Sequence, residues 1–158
     1  MTRRSLEQAL PAGERLLLDS STLIAYLDGR EPVSPVATYV IDTLVRTGRN
    51  RALVAMVSVM ELLVKPRQGE VQGYQHLLDF LTNFPHLSAV TIDLAVAQDA
   101  AMFRSAFGMA TADALIVASA TTHQAGYLVT NDARWKGRLK RLQSRAKTCY
   151  LSDHLPWP

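Results

Sequence analysis

Four carboxylates, Asp19, Glu61, Asp113 and Asp132, each stand where an apolar, strand-like run ends or a helix begins. Asp19 closes Arg15-Leu16-Leu17-Leu18, and Glu61 follows Leu53-Val54-Ala55-Met56-Val57. Asp113 opens Asp113-Ala114-Leu115-Ile116-Val117-Ala118, and Asp132 follows Tyr127-Leu128-Val129-Thr130-Asn131. In an open α/β sheet the carboxyl ends of parallel strands form the binding crevice. Acids that converge there repel one another unless a cation sits among them. An all-oxygen donor set suits Mg2+ or Mn2+, the ions of phosphate chemistry. His76, His86, His123 and His154 are dispersed and show no zinc-ligand spacing.

The elements that must position these acids alternate. Strands are expected at 15–19, 52–57, 87–92, 127–130 and 148–151, where short apolar runs end at turn residues. Helices are expected from 20 to about Gly29, at 36–45, 59–65 (ending before Pro66), 72–83, 94–107 and 112–124. This alternation predicts an α/β fold with a mostly parallel sheet covered on both faces. The long helical stretch between the second and third strands leaves room for an excursion over the crevice. Residues 1–14, with Pro11 and Gly13 as breakers, read as a polar N-terminal extension. The main domain is read as 15–152 and the C-terminal tail as 153–158.

A chain of 158 residues with 48% apolar content is expected to form one globular domain, which excludes general disorder. The single cysteine, Cys149, rules out an internal disulfide and reads as a small core residue in a reducing cytoplasm. No run is long and apolar enough for a membrane helix, and Asp19 interrupts the first apolar run, so neither a signal peptide nor membrane association is expected. The net charge of +3 conceals a local excess. From Ala133 to Ser152 there is no acid, while Arg134, Lys136, Arg138, Lys140, Arg141, Arg145 and Lys147 are basic. That stripe reads either as a path for a polyanion or as a solubilising helix face.

Each acid also has a purely structural reading. Asp19 would cap the following helix, although Ser20 or Ser21 could do so without burying a charge. Ser58-Val59-Met60-Glu61 matches a capping box, in which Glu61 bonds back to the helix start. Asp113 in a first turn is favoured by the helix dipole, but its helix is apolar nearly all round and so is expected to be buried. Asp132 would serve as a turn or N-cap residue. Asp28, Asp42, Asp79, Asp93 and Asp99 read as ordinary surface or capping acids.

Taken in order, four segments resemble the motifs of PIN-domain ribonucleases: Leu17-Leu18-Asp19-Ser20-Ser21-Thr22-Leu23-Ile24-Ala25-Tyr26-Leu27, Ser58-Val59-Met60-Glu61-Leu62, Ala112-Asp113-Ala114-Leu115-Ile116-Val117-Ala118-Ser119-Ala120 and Leu128-Val129-Thr130-Asn131-Asp132. The arrangement is similar to the VapC-like toxins of bacterial toxin–antitoxin pairs. The resemblance covers about residues 15–152. It implies a three-layer α/β/α domain with strand order 3-2-1-4-5. It also implies a metal-dependent ribonuclease in which Asp19, Glu61, Asp113 and Asp132 hold one or two Mg2+ or Mn2+ ions that activate water. Cleavage would leave 5′-phosphate and 3′-hydroxyl ends. Ser21 and Thr130 would orient a ligand from behind, or act only as cap and turn residues. Arg134, Lys136, Arg138 and Lys140 would contact RNA phosphates, and Trp135 would either stack on an unpaired base or pack. An antitoxin protein and a second copy of the chain are the implied partners. Two other readings compete. One is a haloacid-dehalogenase-type phosphatase, whose pattern needs an acid where Ser21 stands. The other is a non-catalytic module that binds RNA or protein.

Overall fold

Leu16 and Leu18 point to one face of the central sheet and Leu17 to the other, and all three are fully buried. Side chains alternate along a strand, so a run that is apolar at every position must be covered on both sides. The computed structural model describes residues 3–69, 71–142 and 145–158, with the side chains of 65–72 and 141–144 outside that description. Among the described residues, five strands form one sheet: β1 (Arg15–Leu18), β2 (Arg51–Ala55), β3 (Leu87–Val90), β4 (Tyr127–Thr130) and β5 (Lys147–Tyr150). All are parallel, in the order β3-β2-β1-β4-β5, with Leu18 opposite Val54 on one side and Val129 on the other.

The helices are α1 (Arg3–Ala9), α2 (Ser20–Asp28), α3 (Ser34–Thr38), α4 (Met56–Gly69), α5 (Val71–Asn83), α6 (Leu94–Phe107) and α7 (Thr111–Thr122). Wider π-helical turns over Tyr39–Val45 continue α3, and the Arg46 N–H donates to the Ile41 carbonyl five residues back. On one face Leu16, Leu18 and Val54 pack with Leu6, Leu23, Val36, Ile41, Leu62, Leu77 and Leu81 from α1 to α5 and the turns after α3. On the other, Leu17 and Leu128 pack with Val96 and Phe103 of α6 and Ile116 and Val117 of α7. The result is the three-layer α/β/α arrangement expected from the alternation. Among the described residues no helix is long and apolar enough to cross a membrane.

Two local expectations fail, and one reading that the sequence left open falls away. Residues 3–9 form a helix where the sequence shows only a polar lead-in; Leu6 and Leu10, spaced i,i+4, are fully buried, and the Arg49 guanidinium donates to the Leu10 carbonyl at 2.8 Å. Helix α4 starts at Met56 rather than Val59 and runs past Pro66 to Gly69. Its packing on α5 and α2 outweighs the roughly 3 kcal/mol local penalty of an internal proline. Of the two readings of the basic segment, a helix face is not found among its described residues. Single 3-10 turns at Ala133–Trp135 and Leu139–Leu142 are separated by Gly137 at φ 95°, and Trp135 and Leu139 anchor them in the core.

Because Leu10 belongs to the core, Leu10→Ala should lower the unfolding free energy by about 2–5 kcal/mol, as buried leucine truncations do. Urea unfolding measures this, and a change below about 0.5 kcal/mol, typical of a surface site, would show that the N-terminal segment is not part of the folded unit.

Candidate active site

Strand order reverses direction around β1, and the gap between the carboxyl ends of β1 and β4 is the switch point where such sheets bind ligands. Asp19 leaves β1 there, and Thr130, Asn131 and Asp132 leave β4. A cleft of about 860 Å3 opens above them, lined by Asp19, Glu61, Asp113 and Asp132 together. Thus the four acids chosen from the sequence share one concavity.

Asp19 is only 2% exposed, and it caps α2 by accepting from the Thr22 N–H at 2.9 Å. Ser21 Oγ lies 2.9 Å from both carboxylate oxygens, and Thr130 Oγ1 donates to Oδ2 at 2.7 Å. Ser21 and Thr130 are fixed in turn, by the Asn131 and Asp132 backbone N–H groups, each at 2.9 Å. Capping and site-building are therefore one arrangement. Burial pushes the Asp19 carboxyl above the ordinary carboxylate range, against the opposing pull of the donors from Thr130, Thr22 and Ser21. Among the described residues it has no cationic partner.

Glu61 does not close a capping box, because α4 begins three residues before Val59 and carries Ser58 inside its first turn. Its carboxylate instead accepts from Ser20 Oγ, which also lies 2.8 Å from the buried Ser58 Oγ. Ser20 thus ties Glu61 and Ser58 of α4 to the start of α2, a role hidden in the sequence, where it reads only as a cap. Asp113 sits half-buried in the first turn of α7, whose remaining residues are buried nearly all round. Asp132 caps the turn at Ala133–Trp135 and is gripped by Arg134: Nε lies 3.0 Å from both oxygens and Nη2 2.6 Å from Oδ2. That hydrogen-bonded guanidinium holds the Asp132 carboxyl below its usual range.

The donor chemistry fits a hard divalent cation: the four candidate carboxylates share the cleft, and the buried Asp19 lacks a counter-charge; Asp28, His76 and the Met60 thioether also line its wall. Among the described residues no three such side chains are grouped closely enough to cage an ion as they stand. Glu61 leans on Ser20, and Asp132 on Arg134, so both have partners that an ion would displace.

Elsewhere the structure divides the sequence candidates. Trp135 is 2% exposed within the α6–α7 core, so its ring is filled in and does not offer a stacking face. Lys136 pairs with Asp153 and lies over the Tyr150 ring, and Arg145 bonds Asp99 at 2.9 Å. Arg138 and Lys140 are exposed, with no ion pair among the described residues, while the Arg141 side chain lies outside them. Cys149 is buried and its thiol is pushed up to about 12, which leaves it unreactive. The cleft also has an apolar flank that the sequence did not reveal, with Ile24 and Leu27 of α2 facing Met60 and Val64 of α4.

The sequence pattern of the PIN domain matches residues 16–140. No protein of curated function matches the sequence. Among solved structures, the chain is similar to a toxin–antitoxin complex from Klebsiella pneumoniae (TM-score 0.63, 20% identity, 77% of this chain and 91% of that one). It is also similar to VapBC2 from Rickettsia felis bound to a promoter DNA fragment (0.64, 15%, 86% and 98%). A third is VapC20 from Mycobacterium tuberculosis, a sarcin–ricin loop cleaving toxin (0.62, 9%, 77% and 92%).

The raised Asp19 carboxyl sets a pH dependence. A folded pKa above the unfolded value means that ionisation opposes folding. The penalty is absent below the unfolded pKa of about 3.9, grows through the carboxylate range and is full above the folded pKa. Asp19→Asn, whose amide oxygen can still accept from Thr22, should therefore melt above wild type at pH 7 without metal, and the gap should close towards pH 4. Melting curves across that range provide the test; a gap that widens on acidification would contradict it.

Proposed function

This chain belongs to the PIN domain family, and from that premise we propose that it is a divalent-metal-dependent ribonuclease that hydrolyses RNA phosphodiester bonds. The observation that carries the reading is the convergence of Asp19, Glu61, Asp113 and Asp132 on one cleft at the sheet's switch point. These residues would hold Mg2+ or Mn2+, with Asp19 and Asp113 central and Glu61 and Asp132 completing the set. When bound, such ions activate water and stabilise the departing oxygen of a phosphodiester.

The chain's own residues supply the positioning. Ser21 and Thr130 hold Asp19 from behind, so that its carboxylate is oriented before any ligand arrives. Ser20 holds Glu61 towards the same cleft. Arg134 at the cleft, followed by the exposed Arg138 and Lys140, would steer and grip RNA phosphates without selecting bases. Specificity would then come from single-stranded or looped RNA, whose bases are free to be read. The motif-bearing nuclease unit would be residues 15–152, with α1 and Leu10 packed into the same core, in a cytoplasmic setting.

We assign the chain the toxin role in a toxin–antitoxin pair. The solved structures of similar fold support this, and so does the apolar flank of Ile24, Leu27, Met60 and Val64, a surface that a protein inhibitor would cover. A homodimer belongs to the same proposal. Membership of the PIN family, together with Ser21 at the position of the second acid, removes the haloacid-dehalogenase reading. A non-catalytic binding module is the outcome that a failed cleavage assay would leave.

Purified protein should cut RNA with Mg2+ or Mn2+ and stop with EDTA. Asp19→Asn or Asp113→Asn should reduce the rate by about a hundredfold or more, at least as much as loss of an outer-shell partner does. Asp79→Asn, on the exposed side of α5, should leave it unchanged. Full cleavage in excess EDTA would refute the metal-dependent mechanism. If the exposed bases grip phosphates, Arg138→Glu and Lys140→Glu should weaken RNA binding. Each phosphate released by a substitution should shallow the log affinity–log salt slope by about 0.7. An unchanged slope in the double variant would move the RNA path away from this segment.

A further inference from the structure

Asp28, a fifth acid on the cleft wall, pairs with Arg30, but of the four candidate ligands Asp132 alone has a cationic partner among the described residues, and that partner is the chain's own Arg134. The pair is unequal. The Asp132 side chain is 14% exposed, whereas that of Arg134 is 77% exposed and stands on a single 3-10 turn. Two kinds of bond join them. The Arg134 backbone N–H donates to Asp132 Oδ1 at 2.9 Å and fixes the carboxylate's orientation as an N-cap. The guanidinium adds three further hydrogen bonds, at 2.6, 3.0 and 3.0 Å, which cover both oxygens. An exposed side chain can withdraw without disturbing the backbone bond, so Asp132 would keep its aim when the guanidinium leaves. Asp113 also helps to hold Arg134 in its charged form, so the guanidinium is attracted by two of the four acids.

We infer that Arg134 is a tethered counter-ion that occupies Asp132 until a divalent cation displaces it, so that metal binding and the Arg134–Asp132 pair are mutually exclusive. The inference rests on the reading of the cleft as a divalent-metal site. Both oxygens of Asp132 are engaged by the fork of the guanidinium, and a carboxylate so engaged cannot present the same lone pairs to an ion. In the metal-free protein the tether relieves repulsion among the acids. In the metal-bound protein it frees a guanidinium at the cleft, where a phosphate is the next available anion. The tether thus weakens metal binding and releases a phosphate-binding group as the metal enters.

Calorimetric titration with Mn2+ and no RNA tests this on the intact chain. Arg134→Gln should bind Mn2+ about two- to fivefold more tightly than wild type, the range expected for releasing one partly exposed ion pair. In an Asp132→Asn background the same substitution should have no effect. Arg138→Gln removes a nearby charge that makes no hydrogen bond to Asp132, and it should change Mn2+ affinity less than Arg134→Gln does. In wild type the Arg134 Nε–H resonance should shift on titration with diamagnetic Mg2+. Unchanged or weaker Mn2+ binding by a folded Arg134→Gln overturns the tether, as does an effect that persists without Asp132 or is matched by Arg138→Gln. If wild type binds Mn2+ normally, only the tether fails. If neither wild type nor Arg134→Gln binds Mn2+, the metal-site reading fails with it.

Discussion

A carboxylate buried at the end of an apolar strand is the constraint around which this molecule is arranged. Asp19 is almost wholly removed from water, and an unpaired charge there would be prohibitive without compensation. The compensation comes from the Thr22 N–H, Ser21 and Thr130, all neutral donors. Neutral donors stabilise the carboxylate but do not cancel its charge, so its carboxyl remains above the ordinary range. The strand, the helix it caps and the neighbouring strand end must all meet at this one group. A hydroxyl from β4 can reach Asp19 only if β1 and β4 are adjacent and in register, as the pairing of Leu18 with Val129 provides.

The remaining acids follow from the same junction. Helix α4 leaves β2 directly, without a loop, and so brings Ser58 and Glu61 against the start of α2. The buried helix α7 presents Asp113 at its open end because every other side of that helix is needed for packing. Asp132 leaves β4 two residues beyond Thr130, and its backbone N–H holds the Thr130 hydroxyl that bonds Asp19. Core packing, helix capping and the placement of charge are therefore carried by the same residues. This is why the candidate site needs no dedicated scaffold of its own.

Much of this was legible in the sequence, for definite reasons. Leu16-Leu17-Leu18, Tyr127–Thr130 and the all-round apolar helix after Asp113 are short or extreme patterns with few alternatives, and they marked the strand ends and three of the acids. Features that depend on contacts between distant residues were not legible. The leucine pair Leu6 and Leu10 is too short a stripe to distinguish a core helix from a lead-in. Pro66 is a local stop signal that tertiary packing overrides. The Ser58–Glu61 spacing fits a capping box, but where α4 begins is set by β2, not by those residues. The basic segment looked uniform because charge hides its two buried anchors, Trp135 and Leu139. The apolar flank of the cleft arises only when α2 and α4 face each other, and neither helix announces it alone.

The central claim is that Asp19, Glu61, Asp113 and Asp132 together hold a divalent cation. Iron-directed backbone cleavage tests it most directly. Fe2+ enters oxygen-rich sites of this kind, and with peroxide and ascorbate it cuts only the polypeptide close to the bound ion. The account predicts cuts clustered at 19–21, 58–61, 111–113 and 130–132, suppressed by excess Mg2+ and lost in Asp19→Asn. Cuts elsewhere, or cuts at these positions that Mg2+ does not suppress, would contradict it.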